Sequence, residues 1–137
     1  FMMQQWGYEI DLWDTEAYGI PSLGLTYVTS EETLATQSDV LSRFLDAALE
    51  GILYAEKNPA EAVELVLKYA GPETDREHML FMLDAELKDL RSLITDENTI
   101  GWHDLAQWQA LADLLVEYET MQPIDVSKAF TNALLKK

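Results

Sequence analysis

Between Tyr8 and Trp13 apolar and acidic side chains alternate, with Tyr8, Ile10 and Leu12 on one side and Glu9 and Asp11 on the other. A two-residue period predicts a half-buried β-strand. The stretch Leu25-Thr26-Tyr27-Val28-Thr29 repeats the β-branched and aromatic character and predicts a second strand. Between them, residues 14–24 hold two glycines and a proline, which predicts a loop. Ahead of the first strand, Phe1 to Gly7 reads as the last turns of a helix stopped by glycine, so the chain is expected to be a piece of something longer.

Beyond Thr29 the period changes to three and four. Thr29-Ser30-Glu31-Glu32 sets a hydroxyl three residues before a carboxylate and predicts a short capped helix. Ser38 then heads a run in which Leu41, Phe44, Leu45, Ala48, Leu49 and Ile52 form one stripe, with Asp39, Asp46 and Glu50 largely outside it. Asn58-Pro59-Ala60-Glu61 orders a cap, a first-turn proline and an acid before Val63, Leu67 and Ala70, and Gly71-Pro72 marks the stop. Thr74-Asp75-Arg76-Glu77 repeats the capping pattern ahead of Leu80, Leu83, Leu87 and Leu90. An acidic loop from Thr95 to Gly101 precedes a helix striped by Leu105, Trp108, Leu111, Ala112 and Leu115, and a last short helix is expected from about Asp125 to Leu135. The fold class is therefore helix-rich α/β, with two or so strands and five to six helices. A two-stranded sheet is marginal alone, so the strands need partners. No repeat and no linker divides the chain, which predicts one domain or part of one.

Composition narrows the function. The 137 residues carry 25 acids against 9 bases, a formal net charge of −16, which repels a phosphate backbone or an anionic membrane surface. Nucleic acid is not an expected partner. The absence of cysteine removes disulfides, thiolate metal sites and thiol nucleophiles together. No apolar run approaches the roughly 18 residues of a membrane span, and the first residues lack the order of a signal peptide.

Candidate chemistry is sparse. His78 and His103 are the only histidines and lack the four-residue spacing of paired metal ligands, so each is expected at a surface or a cap, His103 in water near a helix start. Asp96 to Gly101 resembles the opening of a calcium loop, but Ile100 and Gln107 stand where oxygen ligands are required, which favours a solvated turn. Neither a Gly-x-Ser-x-Gly elbow nor a phosphate-cradling glycine loop is present, and acidic pairs such as Asp84/Glu86 are expected by chance in so acidic a chain. No catalytic residue, metal or cofactor is expected, and the chain is read as a non-enzyme. The feature that stands out is the loop between the strands, which presents Asp14, Glu16, Tyr18 and Ser22 where α/β proteins place ligand contacts. The same loop also reads as a polar surface connection with Tyr18 packed over it. Trp102 and Trp108 read as core.

Several runs in order resemble a known family. They are Tyr18-Gly19-Ile20-Pro21, Leu25 to Glu31, Val40 to Leu45 with Gly51, and Tyr54 to Ala62. Together they are similar to the C-terminal half of periplasmic solute-binding proteins of the SsuA/THI5 (NMT1-like) type. Gly101-Trp102, Trp108 to Asp113, Pro123 to Val126 and Ala129 to Asn132 resemble the closing pattern of members that bind thiamine-pyrimidine precursors. The resemblance implies the C-terminal portion of a type II periplasmic-binding-protein fold, two lobes around a ligand cleft. Residues 1–24 would then end the second lobe and form the crossover, and residues 25–137 would return to the first lobe and close in helices. It further implies a small-molecule ligand, an ABC-importer permease as partner, an extracytoplasmic location and, for this piece alone, a homodimer. The alternatives are a stand-alone helical dimerising module and a fragment of a thiamine-pathway pyrimidine synthase, whose reacting histidine belongs to the half not represented here.

Overall fold

The computed structural model describes residues 1–20, 23–92 and 99–135. Six α-helices are present among them: α1 (Met2–Gln5), α2 (Glu31–Thr36), α3 (Ser38–Lys57), α4 (Pro59–Leu67), α5 (Arg76–Ser92) and α6 (Leu105–Tyr118), with 3₁₀ turns at Glu16–Tyr18 and Val126–Lys128. None of the helices is long and apolar enough to cross a membrane. The chain divides into two compact units.

The first unit comprises Phe1–Ile10 and Ser42–Ile100. Its centre is the packing of α4 on α5, where Val63 is 2% exposed and Leu80, Leu83, Leu87 and Leu90 are half-buried. The α4 start follows the sequence: Asn58 is the cap residue and Pro59, whose missing N–H costs nothing there, opens the helix. The Asn58 side chain, however, turns back to donate to the Tyr54 carbonyl at 3.1 Å instead of capping. At α5 the capping acceptor is Asp75, taking the His78 N–H at 2.7 Å, and not Thr74. Arg76 pairs with Glu64 across the two helices, an exposed contact worth at most about 1 kcal/mol. α1 ends as expected, with Gly7 at φ +82° and the Gly7 and Tyr8 N–H groups returning to Gln4 and Met3. That left-handed residue reverses the chain, and a Cβ would strain it.

The second unit comprises Asp11–Leu41 and Gly101–Lys136. Here α6 packs on the 3₁₀ turn at 126–128, burying Ala112 and Val126 to 6% and 4% exposure. Ser30, one position later than the sequence spacing indicates, caps α2 by accepting from the Thr33 N–H at 3.1 Å. Asp104 caps α6 through two N–H groups. α3 begins in this unit and belongs to the first from Ser42 onward; along it Leu41, Leu45, Ala48, Leu49 and Ile52 are half-buried, whereas Phe44 stays half exposed.

Two expectations are corrected. Neither predicted strand forms among the described residues: 8–14 and 26–30 are irregular, and the α/β class reduces to its helix-rich part. The physical reason is that a strand's donors and acceptors require a neighbouring strand, whereas a helix satisfies its own. The expected last helix over 125–135 shrinks to one 3₁₀ turn. Most of the Asp96–Gly101 segment lies outside the described residues.

Candidate functional site

The loop that the sequence singles out is organised around one carbonyl. Thr15 O accepts the N–H groups of both Tyr18 and Ile20, at 3.1 and 3.0 Å, which winds residues 16–18 into a 3₁₀ turn. Gly19 follows at φ +77°, a left-handed conformation that a Cβ would strain, and it lets the chain leave the turn sharply. Tyr18 is thereby displayed from the turn, 66% exposed, with its ring stacked on Trp13 at 5.7 Å and 19°.

Beneath this turn the second unit contains a cavity of about 550 Å³. Tyr18, Gly19 and Ile20 line one side, and Leu111, Leu114, Leu115, Tyr118 and Glu119 of α6 and its C-terminal cap line the other. The volume lies inside the range of small-ligand pockets, about 300–1,000 Å³. Four aliphatic side chains make the walls, two phenols give flat faces, and Glu119 supplies the carboxylate. The Tyr118 hydroxyl is bonded to Glu117, which raises its pKa above that of an ordinary phenol and keeps it protonated at neutral pH. Chemically, such a site suits a flat, partly apolar molecule bearing hydrogen-bond donors.

Of the expected site residues, Tyr18 joins the cavity, and Asp14 lies exposed on the irregular segment just before the turn. Glu16 opens the 3₁₀ turn. Ser22 lies outside the described residues. The partner wall from α6 is absent from the sequence-based site, because nothing local links residue 18 to residues 111–119.

A second constellation is also missed. His103, expected in water, is half-buried, its ring 5.5 Å from Trp108 and 5.7 Å from Phe130. Trp108 Nε1 donates to His103 Nδ1 at 3.1 Å, and Trp108 stacks on Phe130 at 5.5 Å and 15°. Among the described residues no group of three or more histidines and acids is placed to hold a metal ion.

The family model described as NMT1/THI5 like matches residues 1–62, which contain the Tyr18 turn, α2 and α3. The formylaminopyrimidine-binding protein of Halalkalibacterium halodurans is 24% identical over 134 residues, covering 92% of this chain and 39% of the relative. Over these residues the chain is similar to the NMT1/THI5-like family, the same family that its sequence pattern resembles. It spans about two fifths of the length of the curated relative that it matches. No solved structure matches.

Proposed function

We propose that this chain is part of an extracytoplasmic solute-binding protein that takes a pyrimidine-related small molecule and delivers it to an ABC-importer permease. The observation that carries the reading is the likeness to a protein named for binding a formylaminopyrimidine, together with a cavity walled by Tyr18 and Tyr118 and edged by Glu119. Two phenol faces can sandwich a flat heterocycle, and a carboxylate can accept from its amino groups. Binding, not catalysis, is the role this supports. Asp14, Glu16 and Ser22 are proposed as further polar contacts to the ligand.

In the intact protein, residues 8–13 and 25–29 would pair as strands within a type II binding-protein fold. Alone, the chain would cover these segments with a second copy. Dispersed acids oppose that contact weakly, since the Debye length at physiological salt is about 8 Å. Calorimetric titration of a formylaminopyrimidine tests the function. Binding is expected in a protein of the relative's full length carrying this segment, and Tyr18→Ala weakens it by about tenfold, the scale of one aromatic contact. Little or none is expected for the 137-residue chain, which spans 39% of the relative's length. No binding by the full-length protein refutes the reading, and an unchanged affinity in Tyr18→Ala removes Tyr18 from the site.

A further inference from the structure

His103 ties together two stretches of the chain that are 29 residues apart. Its ring accepts from the Trp108 indole through Nδ1, while its backbone is gripped on both sides by one side chain: its N–H donates to Asn132 Oδ1 at 2.9 Å, and its carbonyl accepts from Asn132 Nδ2 at 2.8 Å. Phe130 covers both rings. All four residues are half-buried. An indole nitrogen can only donate, so the bond requires a bare lone pair on Nδ1 and sets the proton of the neutral ring on Nε2. A second proton would turn N–H against N–H and abolish the bond at a half-buried site.

The charges on the packed elements are engaged elsewhere. On α6 and its cap, Asp104 accepts from the Ala106 and Gln107 N–H groups and Asp113 from Gln109. On the C-terminal stretch, Asp125 is held by Ser127 and lies 3.6 Å from Lys128. Burial is the cause that lowers the His103 pKa, with no contribution from these groups. The positive end of α6, which starts two residues later, also disfavours an imidazolium.

We propose that His103 is a pH-sensitive latch, which holds the stretch containing Phe130 and Asn132 against the start of α6 while neutral and releases it when protonated. An unfolded histidine titrates near 6.5, and here the folded value is lower. The latch therefore contributes fully above about pH 6.5, and its contribution is lost as the pH falls through the folded value. Since the far half of α6 walls the cavity, release would also loosen the binding site; that consequence alone rests on the proposed function.

The test is a proton–nitrogen NMR titration of the full chain from about pH 7.5 to about 5, across the histidine range. Substitution Trp108→Phe assigns the indole signal. The expected result is a His103 midpoint below 6.5, with protection of the Trp108 indole and the Asn132 amide falling about tenfold across it, the scale of one net hydrogen bond. In His103→Gln, whose side-chain oxygen accepts without titrating, protection stays level with pH. In Trp108→Phe the His103 midpoint rises. A wild-type midpoint at or above 6.5, an undiminished pH response in His103→Gln, or an unmoved midpoint in Trp108→Phe overturns the latch.

Discussion

The stretch from Tyr8 to Val28 and the helices from α3 to α6 are both rich in apolar side chains, yet they treat them oppositely. Leu12, Trp13, Leu25 and Val28 are 78–95% exposed, whereas the stripe residues of α5 and, apart from Phe44, those of α3 are half-buried and Val63 is covered. The difference does not come from hydrophobicity. A helix closes its own hydrogen bonds and needs only one neighbour to cover its stripe, as α4 and α5 do for each other. An alternating segment needs a strand beside it before its backbone and its apolar face can both be satisfied, and among the described residues none is there. The exposed alternation is thus a pairing capacity that the described residues leave unused.

Substitutions at matched positions sharpen this contrast. The largest expected effect is at Val63, where Asp would bury an unpaired carboxylate and cost roughly 3–5 kcal/mol. Leu25→Asp, at a side chain 95% exposed, should stay within about 0.5 kcal/mol. Urea unfolding followed by circular dichroism compares them, and a similar loss from both would erase the distinction. The two aromatic stacks give a finer test. Trp108→Ala removes a half-buried ring, its hydrogen bond and its Phe130 contact, and should cost about 2–3 kcal/mol. Trp13→Ala removes a stack of similar geometry in water, and should cost less than about 1 kcal/mol. The smallest effect concerns the turn just after α6 and its Glu119 cap, where Thr120 sits at φ +57°, a conformation that strains a β-branched residue. Thr120→Gly should stabilise by about 0.5–1 kcal/mol, read as a rise in the thermal midpoint, and a fall would show that the turn is not strained.

What was legible in the sequence follows the same division. The stripes of α4, α5 and α6, the Asn58-Pro59 helix start and the Gly7 stop were all readable, because each depends on residues within one or two turns. The capping residues were misplaced by one position at Ser30 and Asp75, where neighbouring side chains compete for the same N–H groups. Strand patterns at 8–13 and 25–29 were read from a real period, but a period states only what a segment can pair as, not whether a partner is present. Tyr18 was picked out by its glycine-flanked turn, while Leu111 to Glu119 opposite it were invisible to local reasoning. The His103 cluster was hidden for the same reason, although one signal pointed to it: Trp102, Trp108, Phe130 and Asn132 all belong to the closing pattern that carried the family resemblance.

Hydrogen exchange of the backbone amides of residues 8–13 and 25–29, measured at physiological salt beside the mass in solution, tests the central claim most directly. The account predicts that these amides exchange freely in any monomeric fraction and become protected only in a dimer or in a protein of the relative's full length, while the amides of α3 and α5 are protected throughout. A monomer whose amides at 8–13 and 25–29 are as slow as those of its helices would contradict it.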